Sequence, residues 1–272
     1  MTSAVFLAAL FTPAQARSLE PMPVSWDYSA VAQAMRDAGY GDLAAARQFA
    51  AFDPSGDGRA VEVLGDLSSA RHVVVLVPGS DTTLADFDRG LGGVARRAPA
   101  VQARSLREAI LARHPQAQVA VVAWLGYDPP EGLGMAAVRQ DRAADGAAAL
   151  ARFVAALPPQ ATVTVIGHSY GTVVMALAAP AFGPRVTDLV ALASPGLSAR
   201  ATTDLSPHAR LWTATAPTDW IGHVPHLRIG NIGHGPIPAD ALELPTNGVD
   251  GHDGYLTPGS ATLTALADLV AR

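Results

Sequence analysis

The stretch TVTVIGHSYGTVVMALA, residues 162–178, decides how this chain is read. Thr162 to Ile166 is a short β-branched run, the pattern of a buried strand. Thr172 to Ala179 is a run of small and apolar residues stopped by Pro180, the pattern of a short helix. Between them lies Gly167-His168-Ser169-Tyr170-Gly171, a G-x-S-x-G sequence. A serine held on a sharp strand-to-helix turn has its hydroxyl lifted clear of the backbone. Side chains two positions either side would collide with the turn, so both positions are glycine. With 14 serines and 25 glycines in 272 residues, chance supplies roughly 0.1 such matches. The strand before it and the helix after it are the context the turn requires. Ser169 is therefore the expected nucleophile; the plain alternative is a tight βα turn with a bystander serine.

Outward from this turn the chain alternates. Toward the N-terminus, His72 to Val77 and Val119 to Trp124 read as buried strands. Leu84 to Arg113 reads as mostly helical, interrupted near Gly90–Gly93 and Pro99. Arg139 to Leu157 reads as an amphipathic helix with Leu150, Phe153, Val154 and Leu157 on one face. Toward the C-terminus, Leu189 to Ala193 and Arg210 to Thr215 read as strands, His226 to Ile229 as a sixth, and a helix begins near Ser260. Before the alternation, residues 27 to 51 read as helical and Ala60 to Leu64 as a half-buried strand. Asp53 to Gly58 reads as a turn. Its likeness to a calcium loop fails at the twelfth position, Leu64, where a bidentate Glu is needed. Strands alternating with helices imply an α/β fold, a mostly parallel central sheet with helices on both faces. Ligand sites in such sheets lie at the carboxyl ends of the strands.

The loops expected there carry the rest of the chemistry. An oxyanion needs two backbone N–H donors. One is expected from Tyr170, the other from Gly79 or Ser80 after the strand ending at Val77, since Pro78 has no N–H. Asp219, in the loop beyond the strand Arg210–Thr215, is the expected acid partner, with Asp204 and Asp240 as weaker rivals; an N-cap role is its plain alternative. Five histidines follow Ser169: His208, His223, His226, His234 and His252. His252, between Gly251 and Gly254 in the loop before the last helix, is the expected base, with His234 next. The His223/His226 pair is a weak metal motif without a carboxylate partner. Trp124 and Tyr127, in the block Trp124 to Pro130, either wall a substrate pocket or pack a rigid turn.

Val77-Pro78-Gly79, Trp124-Leu125-Gly126-Tyr127-Asp128-Pro129-Pro130, the Ser169 turn, Ser194-Pro195-Gly196, Pro217-Thr218-Asp219 and Gly251-His252-x-x-Tyr255 occur together and in this order. In this the chain resembles an uncharacterised branch of the α/β-hydrolase superfamily, over about residues 50 to 271. The resemblance implies the α/β-hydrolase fold and a serine triad of Ser169, Asp219 and His252. It implies no particular substrate.

Composition bounds the remaining classes. Apolar residues make up 49% and charged residues 16%, which describes a globular protein. All 19 basic residues are arginine and the net charge is −5 with no basic run, against a nucleic-acid partner. The absence of cysteine excludes disulfides, thiolate metal sites and a cysteine nucleophile. No metal or organic cofactor is required by a serine triad, and no transmembrane segment is expected. The apolar run Ala4–Phe11 followed by Ala14-Gln15-Ala16 has the look of a signal peptide cleaved after Ala16, though it lacks a positive n-region. Residues 1–25 are thus expected to be a leader or lead-in, and 26–272 a single domain, exported in the first case and cytoplasmic in the second. The expected activity is hydrolysis of an ester-like bond in a small-molecule or lipid-like acyl substrate. An acyltransferase with the same triad, or a binding module on a silent hydrolase fold, would share every one of these residues.

Overall fold

The computed structural model describes residues 22–132 and 134–271. The signal-peptide expectation for residues 1–16 lies outside them. Eight strands form one sheet: β1 Gln48–Asp53, β2 Arg59–Leu64, β3 His72–Val77, β4 Val119–Leu125, β5 Thr162–His168, β6 Val186–Leu192, β7 Arg210–Ala214 and β8 Leu242–Glu243, in the order β1-β2-β4-β3-β5-β6-β7-β8. From β4 to β8 all neighbours are parallel, while β2 runs antiparallel to both β1 and β4. Among the described residues, five helices of eight residues or more accompany the sheet: α1 Tyr28–Asp37, α2 Pro99–Arg113, α3 Asp141–Ala156, α4 Gly171–Ala178 and α5 Ala261–Val270. This is the expected α/β-hydrolase architecture.

The period-two geometry of a strand divides β3 between two cores. Val73, Val75 and Val77 pack on one face with Leu150 and Phe153 of α3 and Val173 of α4. Val74 and Leu76 pack on the other with Leu106 and Ile110 of α2 and Leu263 and Leu266 of α5. A strand buried on both faces needs an unbroken apolar run, which is why His72–Val77 is legible without alternation. Removing one of these side chains, Leu106→Ala for example, costs about 2–5 kcal/mol.

Three expectations need correction. The helix read over residues 27–51 is α1 plus one turn, Gly41–Ala44, and then β1. Gly39, at φ +85°, ends α1, and Phe49 enters the sheet because Gln48–Asp53 finds a hairpin partner in Arg59–Leu64. Set inside the sheet between β1 and β4, β2 is buried on both faces, so it is not half-buried. The strand read over His226–Ile229 is a loop with Leu227 and Ile229 exposed, and the strand beside β7 is instead Leu242–Glu243. In the turn between β1 and β2, the Asp53 carboxylate accepts from the Ser55 N–H and pairs with Arg59. Among the described residues, no helix is long and apolar enough to cross a membrane.

Candidate active site

Ser169 stands between β5 and α4 at φ +54°, in the left-handed region that a residue with a Cβ enters at a cost. The surrounding structure dictates the strain. A Cβ on Gly167 would lie 2.6 Å from the Thr172 Cα, and one on Gly171 would lie 2.3 Å from the Val77 carbonyl oxygen. Only glycine lets the turn close this tightly against β3. The Ser169 N–H donates to the Leu192 carbonyl at 2.9 Å, tying the turn to β6.

Three elements distant in sequence meet over the serine hydroxyl. The His252 Nε2 is 2.9 Å from Ser169 Oγ, and its Nδ1 is 2.8 Å from Asp219 Oδ1. An ionised carboxylate only accepts, so the proton sits on Nδ1 and the Nε2 lone pair faces the serine hydroxyl. Asp219, 2% exposed, also accepts from the Tyr255 hydroxyl at 2.6 Å and from the Ile221 N–H at 2.9 Å. The last of these caps the turn Trp220–His223, so the capping role and the contact with His252 coexist in one carboxylate. Burial alone would raise the Asp219 carboxyl. The hydrogen bonds from His252, Tyr255 and Ile221 outweigh it and hold the group below the ordinary carboxylate range. Tyr255 is pushed the other way, by burial and by the adjoining Asp219 carboxylate.

The expected rivals are occupied elsewhere. Asp204 accepts from the Arg200 and Ala201 N–H groups, and Asp240 from the Thr202 N–H. His208, His223 and His226 are exposed. His234 is buried with its Nε2 2.8 Å from the Ala137 carbonyl. Among the described residues, no three His, Asp or Glu side chains are grouped so as to hold a metal ion.

Gly79 and Ser80 lie against the nucleophile. A Cβ on Gly79 would come within 2.8 Å of the Ser169 Cβ. The neighbouring Asp81 N–H is committed to the Pro130 carbonyl, while those of Ser80 and Tyr170 have no acceptor among the described residues. The Tyr170 N–H also opens α4, where the helix N-terminus favours negative charge.

Trp124 and Tyr127 do not line the cavities at Ser169. Both are 2% exposed and stack with ring centroids 6.1 Å apart. Tyr127 donates its hydroxyl to the Pro78 carbonyl at 2.7 Å, which holds the loop carrying Gly79 and Ser80. Trp124 lies on the buried strand β4 and Tyr127 follows just beyond it, so both side chains pack beneath the loop they support.

Two neighbours of the serine went unread in the sequence. His168, inside the Ser169 turn, has its Nε2 2.7 Å from the His252 carbonyl. Burial, then the proximity of His252, lowers it to about 4. Trp220, beside Asp219, lies with its ring 4.7 Å from that of His252 and is 42% exposed. Adjacency to Ser169 and Asp219 was the only signal for either.

Residues 53–229 match the alpha/beta hydrolase family, and the chain belongs to that family. It is similar to an uncharacterized protein of Mycobacterium tuberculosis (strain H37Rv), 30% identical over 265 residues, covering 81% of this chain. The chain spans 38% of that curated relative's length. Among solved structures it is similar to a dienelactone hydrolase of Anabaena variabilis, with 16% identity, TM-score 0.47, and coverage of 83% of this chain and 95% of that one. It is likewise similar to a carboxylesterase of Mesorhizobium loti, with 16% identity, TM-score 0.45, and coverage of 81% and 97%.

Proposed function

We propose that this protein is a serine hydrolase that cleaves an ester-like acyl bond through an acyl-enzyme on Ser169, with residues 26–272 as one catalytic domain. The observation that carries the reading is the unbroken line of hydrogen bonds from Ser169 Oγ through both nitrogens of His252 to Asp219. As Ser169 Oγ attacks the carbonyl carbon, its proton passes to His252 Nε2. The carbonyl oxygen becomes an oxyanion held by the Tyr170 N–H and by that of Ser80 or Gly79, each such donor contributing roughly 3 kcal/mol to the barrier reduction. His252 then gives its proton to the leaving oxygen as the ester bond breaks. Water completes the cycle: His252 takes its proton, its oxygen attacks the acyl carbon, and the proton returns to Ser169 Oγ as the acid departs. Asp219 stays ionised throughout, fixing the tautomer and stabilising the imidazolium.

A fluorophosphonate probe tests this directly. The protein is expected to be labelled, and Ser169→Ala to lose the label while keeping its fold by circular dichroism. Equal labelling of both would remove Ser169 from the role. No labelling of the folded wild type would favour a non-catalytic binding module.

A further inference from the structure

Among the described residues, two cavities open on Ser169 and differ in chemistry. One, about 260 Å³ and the more polar of the two, is lined by Asp81, Arg97, Gln102 and Asp253 together with the apolar Pro78 and Leu91. The second, about 420 Å³, is lined by Ala137, Val138, Pro195, Ile221, Val224 and Pro225, beside Tyr170. Ser80, Ser169 and Trp220 border both. Each approaches or falls within the size range of small-molecule sites.

Resting on the hydrolase reading above, we infer that the polar cavity receives the alcohol part and the apolar cavity the acyl chain of one ester, an apolar acyl chain joined to a neutral, hydroxyl-rich alcohol such as a polyol or glycoside. The direction follows from the proton. His252 must hand it to the leaving oxygen, so the leaving group lies where His252 can reach it. His252 and its neighbours His168 and Asp253 line the polar cavity and not the apolar one. The acyl remainder, on the other side of the carbonyl carbon, is left with the apolar cavity. There aliphatic side chains gain from burying methylenes, at about 0.8 kcal/mol each.

The charges in the polar cavity select among alcohols. Its one guanidinium, Arg97, is paired through Nε with Asp253 Oδ2 at 2.6 Å, and Asp81 adds a second carboxylate. Two carboxylates against one guanidinium disfavour a phosphate or carboxylate on the leaving group. A plain alkyl alcohol would take water from these groups and return no hydrogen bond. Hydroxyls both donate and accept, so a neutral polyol satisfies all of them.

The test is a matrix of esters with the acyl chain and the alcohol varied independently, run on wild type, Val224→Trp, Val138→Trp and Arg97→Ala. For a fixed octanoyl chain, kcat/KM for the glyceryl or glucosyl ester is expected to exceed that for the ethyl ester by about tenfold or more. Either tryptophan variant should shift the preferred acyl chain shorter and leave the glyceryl-to-ethyl ratio unchanged. Arg97→Ala should lower that ratio and leave chain-length preference unchanged. A wild type that prefers ethyl or anionic alcohols overturns the inference. So does a tryptophan variant, folded and still labelled at Ser169, whose chain-length preference is unmoved. Failure of the probe to label Ser169 in the folded protein, with no ester turned over, instead overturns the hydrolase reading beneath it.

Discussion

His168 and His252 clasp one another across the active site: the His168 Nε2–H donates to the His252 carbonyl at 2.7 Å, and the two ring centroids lie 5.0 Å apart. A carbonyl only accepts, so His168 carries a proton on Nε2, and burial, then the proximity of His252, favours the neutral ring. The residue before the nucleophile thus holds the loop that carries the general base. His168→Ala is expected to lower kcat about 10-fold or more with KM little changed, since the loop loses its tether and the base its register. His168→Gln, whose amide can still donate, should recover part of the loss. Equal losses in both variants would show a packing role only.

His252→Ala should lose nearly all turnover, and Asp219→Asn roughly 10³–10⁴-fold, by favouring the wrong imidazole tautomer. His234→Ala should keep turnover within about 10-fold, because its Nε2 is committed to the Ala137 carbonyl. Steady-state kinetics on one activated ester decides the matter, and the reverse ranking of the two histidines would reassign the base.

Tyr255→Phe removes a donor to Asp219 and the acceptor for the Ala216 N–H, both buried. The expected loss of stability is about 1–3 kcal/mol by denaturant titration at pH 7. The Asp219 carboxyl, held low in the folded protein, contributes stability above its unfolded value that is lost as pH falls through the folded one. With one hydrogen bond gone its folded value rises toward the unfolded one, so this acid-induced loss should be smaller and complete at a higher pH in Tyr255→Phe than in wild type.

Two half-buried histidines set a second acid limit. His72, by burial, and His168, by burial and then by the proximity of His252, are lowered from 6.5 to about 4. Between those values the unfolded chain binds protons that the folded chain refuses, so stability falls as pH drops from 6.5 toward 4 and levels below it. Each group contributes on the order of 1–3 kcal/mol. Thermal melts at pH 7, 5.5 and 4 should show the decline, and His72→Gln should flatten it.

Gly79→Ala places a methyl 2.8 Å from the Ser169 Cβ and 3.1 Å from the His168 carbonyl oxygen. The nucleophile or the oxyanion loop must move, and the expected result is a loss of about 10²-fold in kcat with an intact fold, read by kinetics and circular dichroism together.

What the chain determines locally, it states locally. The Ser169 turn is a contiguous strand, glycine-flanked serine and helix, and the continuous apolar runs of β3 and β4 reveal strands buried on both faces without any partner being known. The loop positions of Asp219 and His252 also follow from order along the chain. Tertiary structure decided the rest. Ser169 and His252 are 83 residues apart, and only the sheet order brings their loops within 2.9 Å. Phe49 is a strand residue because Arg59–Leu64 pairs with its segment, a non-local bond that overrides helical pattern. Trp124 and Tyr127 are the same residues whether they wall a pocket or pack beneath one; burial by surrounding elements makes the choice. The two cavities at Ser169 draw on loops far apart in the sequence, and their chemistry exists only once those loops share a volume.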